Sequence, residues 1–476
     1  MKQKKNLIAQ IKNLNLNNLS ISTRRLLVAE QEIFILYVAQ LTDREKLSQN
    51  IIKPILACSD KKNLTLTHIA CSVIYIDDVS IDENENNLID YILKGNTIVC
   101  LTNHNQYLVA NLLKVEKRSV QSPELQNSLR GPKDSFTENL ETNLSLIRYR
   151  IKDPSLKIDF YTIGKRTQTS VAVVYIHDII NPNYVSKVKK KLEMIHIDGI
   201  LESGYIQKFL LNNPFHLFPQ VGIVERSDIA CANLLDGKLC ILVEGSNIAL
   251  ILPKTFIEFL DSDDDHYDNL FLSIFLKFIR LLALLISLTL SALYVALVSF
   301  HTDILPPQYI LALATSRITV PFNALVETII MEFVAEILRE ASIRLPKQIG
   351  PAIGIVGTIV IGQAAVSAGL VSPLMVIIVS LSTMSSFIAP DYTIMNPLRL
   401  LKYLLILLTG SYGLFGFTMG FTLIIGNLVS ITTFGIPYVS PLAPFNFKDL
   451  KDYILSDITL SKKRHTVLNT KDHTRQ

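Results

Sequence analysis

Three stretches of this 476-residue chain carry no charged side chain: Leu281–Thr302, Gln348–Pro390 and Tyr403–Phe447. Runs of 22, 43 and 45 uncharged residues reach or exceed the roughly 20 apolar residues that span a bilayer core, so they constrain the fold more than any other feature. From Phe271 to Phe447 only 14 side chains are charged, 8 basic and 6 acidic, against 74 in the remaining 299 residues. A mean hydropathy of +0.33 with 49% hydrophobic residues therefore averages two unlike regions, a membrane sector and a larger hydrophilic frame. This excludes a wholly soluble enzyme, a disordered chain, a collagen or coiled-coil rod and a disulfide scaffold.

A formal net charge of +4 is nearly balanced and offers no broad basic face for nucleic acid. Cys58, Cys71, Cys100, Cys231 and Cys240 are odd in number, lack CxxC spacing and lie in apolar runs, which reads as free thiols. The first apolar stretch, Leu26–Leu41, is interrupted by Glu30, Gln31 and Glu32 and makes no signal peptide. About 270 hydrophilic residues before the first span are then expected to stay on the cytoplasmic side.

Within the hydrophilic half, Cys71-Ser-Val-Ile-Tyr-Ile-Asp-Asp78 and Val171-Ala-Val-Val-Tyr-Ile-His-Asp178 are near copies that read as buried strands. Each precedes a Gly-led hairpin, Gly95–Leu101 with Tyr107–Leu112 and Gly237–Val243 with Ile248–Leu252. The pattern suggests two related α/β lobes. The hairpins are 142 residues apart and the strands 100, so the second lobe is expected to hold an insertion near Ile195–Val224. Between the lobes a Gly131-Pro132 turn leads to a helix with Leu140, Leu144 and Ile147 on one face and Arg148 and Arg150 at its exit. The acidic strip Asp261–Asp268 closes this half.

The first charge-free run is one span; the second, broken near Gly369 and Pro373, is long enough for two. The third, with Gly410, Gly413, Gly416 and Gly420, suits one tilted helix or a tight hairpin. Basic clusters at Lys277/Arg280, Arg339/Arg344/Lys347, Arg399/Lys402 and Lys448/Lys451 with Lys462/Lys463/Arg464 should share the cytoplasmic side. Even crossings between neighbouring clusters then make Val320–Leu338 a span and the third run a hairpin. The organisation is an N-terminal α/β lobe (1–118), a second α/β lobe with a connecting helix (119–268), a polytopic α-helical membrane domain (269–447) and a short basic cytoplasmic tail (448–476).

The segment Arg317–Glu340 is apolar yet carries Glu327, Glu332, Glu336 and Glu340, the last three at i, i+4 spacing. Ionised carboxylates facing lipid are costly, which leaves two readings. One is a cation pathway, in which Glu327, Glu332 and Glu336 of each subunit contribute to rings of negative charge. The other is an amphipathic helix on the cytoplasmic surface, with Glu336 paired to Arg339 or Glu340 to Arg344. Likewise Gly350, Gly354 and Gly357 permit close helix packing, while Val356, Val360 and Gln363 could line a narrow pore that gates by dewetting. Nucleotide and hydrolase signatures are missing: Gly199-Ile-Leu-Glu-Ser-Gly204 has phosphate-loop glycine spacing, but Tyr205 and Ile206 stand where Lys and Ser/Thr are needed. No enzyme activity, metal or cofactor is implied, and His177, His196 and His301 read as ordinary polar residues.

Several motifs resemble one family. Arg130-Gly-Pro-Lys-Asp-Ser-Phe-Thr-Glu-Asn-Leu140, Val171–Ile176, Ile197-Asp-Gly-Ile-Leu-Glu-Ser-Gly-Tyr-Ile206, Asn213-Pro-Phe-His-Leu-Phe-Pro-Gln220, Val320-Pro-Phe322, Leu338-Arg-Glu-Ala-Ser-Ile-Arg-Leu-Pro346 and Ile361-Gly-Gln-Ala-Ala-Val366 are similar to the A subunits of GerA-type spore germination receptors. The resemblance runs from about Arg118 to Pro444; Asn323 and Ser342 stand where the family pattern has Pro and Gly. It implies a nutrient receptor subunit in the inner spore membrane, working with a permease-like B subunit and a lipoprotein C subunit. It also implies a homo-oligomeric ring that releases monovalent cations through a pore drawn from Val320–Glu340 and Gly350–Gly369. A secondary nutrient transporter and a non-conducting scaffold are the alternatives, although the membrane sector shows no inverted repeat.

Overall fold

The computed structural model describes residues 21–28, 31–58, 65–102, 106–114, 123, 126, 131–211, 213, 215–344, 360–455 and 463–475. Two compact units emerge. Among the described residues, one takes in 21–211, 221–253 and 463–475, and the other 215–220 and 254–455.

The first unit holds two five-stranded antiparallel sheets. Strands β1 (Ile21–Val28), β2 (Gln31–Val38), β3 (Val79–Asp82), β4 (Asn96–Leu101) and β5 (Tyr107–Asn111) lie in the order β1-β2-β4-β5-β3. Strands β6 (Leu156–Ile163), β7 (Thr169–Ile176), β8 (Gly222–Val224), β9 (Leu239–Val243) and β10 (Ala249–Leu252) repeat that order as β6-β7-β9-β10-β8. Both lobes insert a nine-residue helix before the second hairpin, α1 (Glu85–Leu93) and its equivalent α5 (Ser227–Leu235). The two related lobes are thus real, but their register differs from the expected one. Corresponding strands are displaced by 135 to 143 residues throughout, so β7 matches β2 and the second lobe holds no large insertion. The strand expected at Cys71–Asp78 does not form: residues 66–73 are helical and 74–78 irregular. A short apolar run bounded by polar residues fits either a strand or a buried helix turn, and here the helix covers the sheet.

Apolar residues on both faces of β2 explain the layering. Ile33 and Ile35 join the core beneath the helical segments 44–57 and 66–73, while Phe34 and Leu36 join the core beneath α1. In the second lobe α2 (Leu140–Arg150), capped by Asn139, lays Leu140, Leu144 and Ile147 against Ala172, Val174 and Leu242, as the periodicity predicts. Arg150 bonds Asp134 at 2.7 Å and Ser227 at 2.9 Å. Arg148 is 2% exposed, and burial lowers its guanidinium to about 10. Helices α3 (Pro182–Glu193) and α4 (Ser203–Leu210) complete this lobe.

From Lys463 to Arg475 the chain folds back onto the second lobe rather than ending as a tail. Tyr184 Oη donates to the Leu468 carbonyl at 2.9 Å, Lys471 N to that of Ile179 at 2.8 Å and Arg464 Nε to that of Leu235 at 2.7 Å. Arg475 also pairs with Asp236. Gly237 sits under this segment with φ +88°, and a Cβ there would lie 2.5 Å from Thr470 Cγ2. Gly237→Ala is expected to cost about 1–3 kcal/mol through that strained φ and contact. The expected readout is faster proteolysis of the C-terminal segment.

The second unit is helical: α6 (Leu270–Ser299), α7 (Pro307–Arg317), α8 (Ala324–Arg344), α9 (Pro373–Ser385), α10 (Met395–Ser430) and the amphipathic α11 (Phe447–Leu455). Residues 270–299 and 392–430 are long and apolar enough to cross a membrane. Helix α10 is not continuous: Gly413, at φ 65° and ψ −143°, reverses the chain. A Cβ on Gly420 would lie 2.9 Å from Leu405 Cδ1, whereas fifteen residues of straight helix would separate the two by about 22 Å. The third charge-free run therefore contains the hairpin that the charge pattern predicts. The break expected near Gly369 and Pro373 is present too, with Gly369 at φ +66° and Pro373 opening α9. At 13 residues, about 20 Å, α9 is shorter than a hydrocarbon core.

Candidate functional site

Helix α8 carries the carboxylates that the sequence singles out. Asn323, standing where the family pattern has Pro, accepts the Val326 N–H at 2.9 Å and caps the helix. The face of α8 that meets α6, α9 and α10 is polar at three levels.

At the first level Glu327 is fully buried. Its Oε1 accepts from Ser372 N at 2.6 Å and Ser372 Oγ at 2.7 Å, and its Oε2 lies 3.3 Å from Arg317 Nη2. Ser372 is the N-cap of α9, so the carboxylate sits at the positive end of that helix.

One and a half turns on, Glu332 is 2% exposed and draws together four helices. Its Oε2 is 2.6 Å from Lys402 Nζ of α10, and its Oε1 accepts from Ser291 Oγ of α6 at 2.5 Å. Lys402 Nζ also donates to Ser382 Oγ of α9 at 3.4 Å, and Tyr403 Oη to the Glu332 carbonyl at 3.1 Å. An ion pair removed from water holds only when both partners stay paired and their remaining sites are hydrogen-bonded, as here.

At the third level Glu336, with 36% of its side chain exposed, bridges Arg399 at 2.9 Å and Arg339 at 3.4 Å. Arg339 donates to Ser386 Oγ at 2.8 Å and lies over the Phe387 ring. Glu340 is exposed.

Each of Glu327, Glu332 and Glu336 is thus matched by a cation of its own chain. The Glu336–Arg339 pair of the surface-helix reading exists, but α8 is packed into the bundle, with Ala324 and Met331 in a core shared with Val295 and Met375. Val360 and Gln363 are exposed on the helical segment 360–367. Val356, Gly350, Gly354 and Gly357 lie outside the described residues. Lys402 went unrecognised in the sequence because it sits beside Arg399 in an apparent cytoplasmic cluster; its signal is its place as the last charge before a 45-residue uncharged run. Nor did the sequence point to Ser291, Ser372 or Arg317. Among the described residues no group of three His, Cys, Asp or Glu side chains could hold a metal ion.

A second feature lies in the other unit. An open cleft of about 760 Å³ is walled by Thr137, Thr142, Thr167, Thr169 and Glu244. Glu244 accepts the Leu140 N–H at 2.9 Å, which supports the start of α2.

The chain is 37% identical over 433 residues to spore germination protein KA of Bacillus subtilis (strain 168), covering 90% of this chain and 80% of that one. It is 35% identical over 461 residues to spore germination protein GerLA of Bacillus cereus, covering 96% and 94%. The N-terminal domain of the A subunit of the Bacillus megaterium spore germinant receptor GerK3 is 27% identical, with a TM-score of 0.40, covering 51% of this chain and 92% of that domain. The model of the family described as Bacillus/Clostridium GerA spore germination protein matches residues 5–467. With that match across nearly its whole length, the chain belongs to the GerA spore germination protein family.

Proposed function

We propose that this chain is the A subunit of a nutrient receptor in the inner spore membrane, acting with a permease-like B subunit and a lipoprotein C subunit. In this reading several copies surround a path for monovalent cations that opens when nutrient binds, and the chain itself catalyses no reaction. Support comes from one observation above all: in a member of this family, four helices converge on the buried Glu332–Lys402 pair. Ionisable groups inside membrane helices are costly to keep there, and ion pathways are among the functions that retain them.

The topology follows from the ends of the helical unit. Residues 463–475 and residues 221–253 fold into one unit, which supports a topology with both ends on one side and an even number of crossings. Helix α6 and the two legs of the α10 hairpin make three; α8, about 31 Å long, is the fourth. The basic clusters favour the spore-core side for the soluble unit and the C-terminal segment.

A second reading is a non-conducting scaffold, favoured by the pairing of Glu327, Glu332 and Glu336 within one chain. Flux distinguishes the two. The complex with its B-type and C-type partners, reconstituted in liposomes, should pass K⁺ on addition of nutrient. Glu336→Gln, at the most exposed of the three carboxylates, should lower cation-over-anion selectivity several-fold, since a charge near a narrow path is worth about 1 kcal/mol or more. An intact complex that stays silent under every nutrient would establish the scaffold reading.

A further inference from the structure

Lobe 2 carries an exposed aromatic and basic end that no element of its own unit covers among the described residues. On α4, Ile206 and Leu210 are buried, while Tyr205 and Phe209, at i, i+4 spacing, are 44% and 42% exposed with Lys208 beside them. The helix, Ser203–Leu210, contains no acidic residue. Lys191 Nζ donates to the Leu210 carbonyl and ties the C-terminal ends of α3 and α4 together. That brings exposed Lys190 and Met194, the latter 62% exposed, to the same end of the lobe.

The chain then runs only five residues from Leu210 to Phe215, at most about 18 Å. Residues 215–220 already count with the helical unit, where Phe218 packs against Phe256 and Tyr438. The chain that leaves this end of lobe 2 thus enters the helical unit, which the reading above assigns to a bilayer, within five residues.

We propose that the α3–α4 end of lobe 2 rests on the surface of that bilayer, with anionic phospholipid headgroups as its partner. The inference depends on the membrane reading given above. Tyrosine and phenylalanine on one face with lysines alongside is the composition of a helix that lies in the interfacial region. Lysine is depleted from the cores of protein–protein interfaces, whereas each lysine near an anionic leaflet adds attraction. Exposed Lys190 and Lys208 beside Tyr205, Phe209 and Met194, with Glu193 the one exposed acid at the end of α3, therefore fit lipid better than a second protein.

The chain contains no tryptophan, so single substitutions make clean reporters. Tyr205→Trp, Phe209→Trp and, in the first leg of the α10 hairpin, Leu407→Trp would each be made in the full chain. Each would be reconstituted in phosphatidylcholine vesicles with or without phosphatidylglycerol. With phosphatidylglycerol, the two α4 reporters should be quenched by brominated acyl chains and shielded from aqueous iodide. Reversing Lys190 and Lys208 to Glu should lower that quenching by about twofold or more. If the α10 reporter is quenched by lipid while both α4 reporters stay open to iodide, the docking inference fails and the membrane reading stands. Shielding of the α4 reporters from iodide without bromolipid quenching overturns it in favour of a protein contact. If the α10 reporter also escapes lipid quenching, the membrane reading fails and takes the inference with it.

Discussion

Lys402→Met alone is expected to destabilise the helical unit by about 3–5 kcal/mol, and Glu332→Leu alone by a similar amount, whereas the double variant should recover most of the loss. The single changes strand a charge: Lys402 Nζ is 2.6 Å from Glu332 Oε2, and their side chains are 7% and 2% exposed. An unpaired ammonium or carboxylate at that depth has no water to turn to. Replacing both partners removes the desolvation cost along with the attraction, leaving only the Ser291 hydroxyl to find a new partner, since Ser382 Oγ still donates to the Ser287 carbonyl at 3.2 Å. Thermal unfolding of the detergent-solubilised chain, followed by circular dichroism, checks this. A double variant no more stable than either single would mean that the pair is not coupled. The same geometry makes Glu332→Gln a poor probe of conduction, because a fold defect would accompany any change in flux.

The second large effect concerns the hairpin. A Leu408→Cys/Gly420→Cys variant should form an intramolecular disulfide under mild oxidation, since a Cβ on Gly420 lies 3.8 Å from Leu408 Cβ. In one continuous helix twelve residues would hold them about 18 Å apart, and no bond could close. Gly416→Val added to that pair should abolish the crosslink: its Cβ would sit 2.0 Å from the Leu408 carbonyl oxygen, a backbone atom that cannot move aside. Such overpacking costs about 3 kcal/mol or more. Efficient crosslinking in the triple variant would show that the legs do not meet there.

Much of this architecture is legible in the residues, and the gaps have physical causes. Uncharged runs mark the helical unit because a charge is costly to take out of water, and Gly369 and Pro373 mark a break because backbone conformation is local, whereas the four glycines of the third run did not by themselves single out Gly413. Helix α2 is legible for the same reason, its apolar residues recurring at helical spacing. Long-range pairing is another matter. Glu332 and Lys402 are 70 residues apart, and nothing local to Lys402 distinguishes a buried counter-ion from an interfacial anchor. The repeat of the two lobes was legible in the Gly95 and Gly237 hairpins, both glycines having positive φ. Its register was lost at Cys71–Asp78, where similarity in sequence to β7 does not follow the fold and the true counterpart is Gln31–Val38. The basic C-terminal residues read as a short cytoplasmic tail because their partners, Tyr184, Leu235 and Asp236, lie more than 200 residues away.

That last separation sets the order in which the molecule can be finished. Tyr184 and Leu468 are 284 residues apart, so lobe 2 leaves the ribosome long before its closing segment exists. At about 5–20 residues per second the delay is about 15–60 s, during which the whole helical unit must be made. Lobe 2 therefore waits, with its Gly237 turn uncovered, until residues 463–475 are made, and its closure reports that the helical unit encoded between them has already been synthesised.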